Sequence, residues 1–89
     1  MKNNTNVLPF PSLAERIMQE IRKGPRIDQL DLYAILTNNN PIGPDDHEYI
    51  WPTNKRRQEL LNKYGLLVLV ENAEHFARVV QKTLKEHPS

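Results

Sequence analysis

The residues from 44 to 48, PDDHE, form the densest group of side chains that could do chemistry in this chain. Asp45, Asp46, His47 and Glu48 combine carboxylate and imidazole groups, which are plausible ligands for a metal ion. Four consecutive residues rarely converge on one ion, however, and no second histidine motif supports them. A polar loop is therefore the preferred interpretation, and we predict neither a metal site nor a cofactor.

Catalytic residues cannot be assembled from the rest of the sequence. The chain has no cysteine, Ser12 stands where it can cap a helix, and Ser89 is the last residue. His47, His75 and His87 lie in separate segments, and no orienting partner is visible for any of them. With three glycines in all, the chain also lacks a glycine-rich phosphate loop. We expect that the protein is not an enzyme.

Three cations, Lys55, Arg56 and Arg57, stand in the first turn of a helix predicted for residues 54–64. The helix dipole is positive at that end, so each exposed cation there is unfavourable by about 0.3–1 kcal/mol. An anionic partner would relieve this repulsion, because phosphate oxygens accept from both backbone N–H groups and cationic side chains. Alternatively, the three cations offset the carboxylates of the preceding loop on a solvated surface. Helical spacing places Arg57 near the rim of the core.

The connection over residues 38–53 ends in aromatic residues. Connections of this length are uncommon in small domains and are often functional. Tyr49 and Trp51 could stack a single-stranded base beside the basic cluster. The preferred interpretation is that Ile50 and Trp51 anchor the far end of the loop in the core.

Composition limits the class of protein. The chain has 89 residues, of which 38% are hydrophobic and 26% charged, and this predicts one globular domain over residues 12–89 with a flexible arm at 1–11. The longest apolar run, GLLVLV, is too short to span a membrane, and the N-terminus lacks a signal-peptide pattern. We therefore expect a soluble cytoplasmic protein without a membrane partner. The net charge of +1 gives little support to extensive nucleic-acid coating.

Two helices are predicted in the first half of the chain. Ser12 and Glu15 have the spacing of a capping box before a helix over 13–23. Asp28 is a good N-cap for a second helix, which the run TNNNP ends. Ile27 has the position of a hydrophobic staple, or it forms a one-bond strand fragment before the second helix.

The second half contains the third helix and an ambiguous C-terminal region. Gly65 is placed to end the third helix, and the LLVLV run at 66–70 predicts a strand. Helix propensity favours a helix over 73–86. A lone strand would nevertheless leave its backbone groups without partners, so we favour a return strand that completes a hairpin. A C-terminal helix is the alternative.

The order of these elements resembles a winged helix-turn-helix domain over roughly residues 12–81. The resemblance is carried by IMQEIRKGPRIDQLDLYAILT for the first two helices and by TNKRRQELLNKYGLLVLV for the third helix and the wing. It implies an α+β fold of three helices and a C-terminal β-hairpin. The alternative is a mostly α fold with a fourth, C-terminal helix.

The resemblance also implies that the third helix contacts duplex DNA, as in a transcription regulator or replication accessory protein, and it allows a homodimer. The residues expected to contact DNA are Thr53, Asn54, Lys55, Arg56, Gln58, Lys63 and Arg78. The alternative function is a protein-interaction module or inhibitor. Its expected contact residues are Asp45, Asp46, Glu48, Tyr49 and Trp51.

Overall fold

A computed structural model describes residues 11–43 and 45–86, and five helices lie within them. In chain order they are α1 (Pro11–Lys23), α2 (Arg26–Thr37), α3 (Asn54–Tyr64), α4 (Leu66–Glu71) and α5 (Ala73–Glu86). No strand occurs in these two ranges, so the predicted α+β fold with a C-terminal β-hairpin is wrong. The mostly α alternative is confirmed. The predicted arm, 1–11, lies outside the described residues except for Pro11.

Residues 66–70, predicted as a strand, form most of α4. Gly65 separates α3 from α4 with a φ of 125° and accepts a hydrogen bond at 3.0 Å from the backbone N–H of Leu69. Leu69 is fully buried, whereas Leu67 and Val70 are exposed. Helical hydrogen bonds within the segment satisfy the backbone, which removes the need for a partner strand.

The C-terminal residues continue as α5, in agreement with their helix propensity. This helix packs most extensively against α2. Its buried residues recur at helical spacing and form one face: Phe76, Ala77, Val80 and Thr83.

A single core lies between the helices. It combines apolar side chains from all five of them and one tyrosine. The fully or nearly fully buried members are Ala14, Ile17, Ile21, Leu32, Leu60, Tyr64, Leu69, Phe76 and Val80.

The first two helices begin earlier than their predicted caps. Because α1 begins at Pro11, Ser12 lies within the helix, and its side chain is outside the described part of the structure. Because α2 begins at Arg26, Asp28 lies in the first turn and does not cap it. Ile27 is exposed within this helix, so the predicted staple and strand fragment are both wrong.

Replacement of Gly65 by alanine is expected to lower the free energy of unfolding by more than about 1 kcal/mol, because its positive φ strains any L side chain. A Cβ atom there would also lie 2.9 Å from Cδ1 of Ile17. Gly43→Ala is the matched control, since a Cβ atom at that position meets no atom within 4 Å. Urea denaturation of both variants gives the comparison. Equal stabilities of the two variants would contradict a positive φ at Gly65.

Candidate functional site

Two carboxylates of α2, those of Asp28 and Asp31, are buried side by side. They lie three positions apart in the sequence, so they share one face of the helix. The residues are only 3% and 4% exposed, respectively. Burial of a charged carboxylate is strongly unfavourable unless it is paired and hydrogen-bonded. The donors come from α3 and from the loop that precedes it.

Asp28 receives three donors from α3. Its Oδ1 accepts a hydrogen bond from Nη2 of Arg56 at 2.8 Å. Its Oδ2 accepts from Nζ of Lys63 at 2.8 Å and from the hydroxyl of Tyr64 at 2.6 Å. Lys63 and Tyr64 follow Arg56 by seven and eight residues, about two helical turns, so the three donors share one face of α3. The carboxylate therefore fixes the rotation of α3 against α2.

Asp31 extends the network to the loop. Its Oδ1 accepts a hydrogen bond from the hydroxyl of Tyr49 at 2.6 Å, and its Oδ2 accepts from Nε of Arg56 at 3.2 Å. The guanidinium of Arg56 thus bridges both carboxylates, with its side chain 35% exposed. We call these six residues the ion network: Asp28, Asp31, Tyr49, Arg56, Lys63 and Tyr64.

The start of α3 sets the direction of Arg56. Thr53 caps the helix, and its Oγ1 accepts a hydrogen bond from the backbone N–H of Arg56 at 3.1 Å. A fixed first turn holds this backbone in register, so the guanidinium reaches α2. Lys55 and Arg57, on either side of Arg56 in the sequence, are exposed.

The pKa values reflect this mutual stabilisation. Burial alone would raise the pKa of Asp28, but the hydrogen bonds from Lys63, Tyr64 and Arg56 outweigh it and hold the pKa below its ordinary value of 3.8. Burial and the hydrogen bond to Asp28 raise the pKa of Tyr64 to about 12. Burial and the contact with Asp31 raise the pKa of Tyr49 as well. Asp28 is therefore ionised at neutral pH, and both tyrosines donate as neutral phenols.

The residues predicted to contact DNA fall into two groups, one with structural roles in the fold and one exposed on the surface. Arg56 and Lys63 are bound to buried carboxylates, and Thr53 is the helix cap. Arg57, expected at the rim of the core, is exposed, and Arg56 takes that position instead. The remaining predicted DNA contacts are exposed: Asn54, Lys55, Gln58 and Arg78.

Arg78 does not lie on a wing, because the predicted hairpin is replaced by α4 and α5. It lines a cavity of about 410 Å³ together with residues 70–75, which cover the end of α4 and the start of α5. Within this region Nε2 of His75 is buried and has no hydrogen-bond partner among the described residues.

The residues predicted for a protein partner are also separated. Tyr49 is buried and belongs to the ion network, so it offers little surface to a protein partner. Ile50 is 85% exposed and Trp51 is 44% exposed. The expectation that Ile50 and Trp51 anchor the loop in the core is therefore wrong. Tyr49 is the anchor, because its hydroxyl donates a hydrogen bond to the buried carboxylate of Asp31.

The loop before α3 holds its own shape by hydrogen bonds. Oδ1 of Asn40 accepts from the backbone N–H of Ile42 at 2.9 Å, and its Nδ2 donates to the backbone oxygen of Asp46 at 2.7 Å. Oδ1 of Asp46 accepts from the backbone N–H of Glu48 at 2.8 Å. Asp45 and Glu48 are exposed. The acidic residues therefore lie on an ordered loop.

A cavity of about 430 Å³ lies between this loop and the C-terminal end of α2. Its lining is polar and aromatic and consists of Asn38, Asn39, Asn40, Asp46, His47, Tyr49 and Trp51. No group of three or more metal-ligating side chains occurs within residues 11–43 and 45–86.

Sequence reasoning missed the ion network and a related buried amide. Gln29 is buried, and its Nε2 donates to the backbone oxygens of Ile21 at 3.0 Å and Gly24 at 3.3 Å, which ties α2 to the end of α1. The available signal was the spacing of Asp28 and Asp31 beside the apolar Leu32. Such a spacing places two carboxylates on or near the buried face of a helix.

Comparisons of the chain with protein-family models, with curated proteins and with solved structures give no match. The resemblance to winged helix-turn-helix domains therefore stays a prediction, and the hairpin that it implied is absent from the described residues. No helix in these ranges has the length and apolar character needed to cross a membrane.

Charge reversal at Arg56 is expected to destabilise the fold, whereas reversal at Lys55 is not. Arg56→Glu removes the cation that bridges two buried carboxylates and adds a third, so the free energy of unfolding should fall by about 3 kcal/mol or more. Lys55→Glu places a favourable charge at the helix N-terminus and should raise stability by up to about 1 kcal/mol. Urea denaturation measures both. Similar stabilities for the two variants would refute the ion network.

Alkaline titration tests the Tyr64 hydroxyl. The pKa of Tyr64 rises from 10.0 to about 12 on folding, so its contribution is complete below pH 10 and is lost as the pH rises through 12. The difference in free energy of unfolding between the wild type and Tyr64→Phe should shrink by on the order of 1–3 kcal/mol across this pH range. Tyr33→Phe is the matched control. A pH-independent difference between wild type and Tyr64→Phe would count against the assignment.

Proposed function

We propose that this protein is a protein-interaction module whose contact surface is formed by the loop before α3. We call this contact surface the loop surface. It comprises Ile50, Trp51 and the carboxylates of Asp45, Asp46 and Glu48. The observation that carries the proposal is the exposure of Ile50, 85%, and of Trp51, 44%, directly after the buried Tyr49.

The buried Tyr49 holds the exposed pair, Ile50 and Trp51, in place. The Tyr49 hydroxyl is bonded to Asp31, and the ring of Trp51 meets the ring of Tyr49 edge to face, with 5.5 Å between centroids and 68° between planes. A side chain held in place loses less conformational entropy when a partner binds. Tryptophan residues are also enriched among the side chains that dominate binding energy. Rigid support thus favours a contact role for Trp51.

The partner is expected to be a protein segment with an apolar side chain flanked by basic residues. Asp45 and Glu48 are exposed on the same loop as the apolar pair, and Asp46 lines the same cavity as Trp51. Charges of one sign around an apolar centre attract an oppositely charged partner and orient its approach. Arg56 of α3 is turned inward to Asp28 and Asp31 and does not neutralise these acidic residues.

Duplex DNA remains a second candidate partner because Lys55 and Arg57 are exposed on α3. The engagement of Arg56 and Lys63 with Asp28 leaves fewer cations for phosphate contact. A role as a transcription regulator or replication accessory, a homodimeric state and a cytoplasmic location stay predictions.

The loop surface can be tested by selection from a random-peptide phage library. Selected peptides should bind the wild type and lose at least tenfold in affinity for the double variant Ile50→Ser, Trp51→Ala, because the apolar contact is removed. The matched control is Leu67→Ser, Val70→Ser, which alters exposed apolar residues of α4 and should bind like the wild type. Calorimetry measures the affinities, and urea denaturation verifies that all variants fold.

Three outcomes would overturn the proposal. One is a failure to select any peptide, and another is equal binding by the loop double variant. The third is a wild-type dimer, seen by light scattering, that the loop double variant abolishes, since the occupant would then be a second copy of this chain. Salt-dependent binding of a duplex oligonucleotide, lost in a Lys55→Glu, Arg57→Glu variant, would favour DNA instead.

A further inference from the structure

We propose that the cavity beside Trp51 receives an arginine side chain of the partner. This inference rests on the proposed function and specifies the chemistry of its recognition. The cavity has a volume of about 430 Å³, which lies within the usual range for ligand pockets of about 300–1,000 Å³. Its lining determines what kind of group can enter.

Among the described residues, the lining contains acceptors but no lysine or arginine. Asp46 supplies a carboxylate, held by its hydrogen bond from the backbone N–H of Glu48. The side-chain amides of Asn38 and Asn39 make no hydrogen bond to any described residue, so their oxygens can accept from a ligand. A guanidinium has five N–H donors in one plane and needs several acceptors of this kind.

The end of α2 adds to the negative character of the cavity. The helix finishes at Thr37, and Asn38 follows it with a left-handed backbone conformation, φ 58° and ψ 29°. The C-terminal end of a helix carries partial negative charge and favours nearby cations. Three independent features therefore favour a positive ligand: the Asp46 carboxylate, the amide oxygens and the helix terminus. A phosphate-bearing ligand would be repelled by two of them.

Trp51 distinguishes a guanidinium from other cations. Its ring lines the cavity and is held edge to face against Tyr49. Planar guanidinium groups stack on aromatic faces while their edges donate hydrogen bonds, which an ammonium group cannot do with the same geometry. A bare metal ion is disfavoured, because the described residues include no group of three metal-ligating side chains.

The probe is N-acetyl-arginine amide, titrated into the full chain and followed by ¹H–¹⁵N correlation spectra. We expect saturable shifts of the side-chain amides of Asn38 and Asn39 and of the Trp51 indole N–H. N-acetyl-citrulline amide, which has nearly the same shape without the charge, should produce no saturable shift. Asp46→Asn should weaken binding at least fivefold, whereas Glu59→Gln, an exposed carboxylate on α3 outside the lining, should change it less than twofold.

The outcomes separate this inference from the proposed function. Saturable arginine binding that depends on Asp46, together with arginine in the selected phage peptides, supports the cavity assignment. Peptides that require Ile50 and Trp51 but lack arginine, with no shift from N-acetyl-arginine amide, overturn the assignment and leave the interaction surface standing. Equal affinity for N-acetyl-arginine amide and for the matching lysine compound, lysine amide acetylated at its α-amine, overturns the selectivity for guanidinium. Absence of any selected peptide overturns the proposed function itself.

Discussion

The structure depends on the burial of the Asp28 carboxylate among donors from α3. A carboxylate that is 3% exposed is tolerable only while Arg56, Lys63 and Tyr64 remain in place. The packing angle of α3 on α2 is therefore constrained by charge as well as by apolar contact. A buried polar network of this kind favours one arrangement of the helices, because each alternative would leave a charge without its partner.

The same network determines which side chains face the surface. Arg56 is turned toward α2, so the basic first turn of α3 presents Lys55 and Arg57 without its central cation. Through Asp31, the network also holds Tyr49, and the residues directly after Tyr49 are directed outward. The exposure of Ile50 and Trp51 is thus a consequence of the buried network. The same network holds the proposed contact surface rigid.

Local patterns in the sequence predicted α1 and α3 well, because apolar periodicity and the Gly65 stop are properties of the segments themselves. The strand prediction for α4 is wrong, because a short run of leucine and β-branched residues fits a strand pattern and a short helix equally. The sequence predicts Asp28 as a cap, because the role of an aspartate near a helix start is ambiguous until the residues facing it are known. Its true partners on α3 are 28 to 36 residues away, a separation that no local signal encodes.

A double-mutant cycle between Asp28 and Arg56 tests this account most directly. The variants Asp28→Asn, Arg56→Gln and their combination are compared with the wild type by urea denaturation near neutral pH. We predict that each single change is strongly destabilising and that the coupling free energy reaches about 1–3 kcal/mol, as expected for residues in one hydrogen-bonded network. A coupling near zero, with additive losses, would mean that the two side chains do not interact and would contradict the central role of the buried carboxylate.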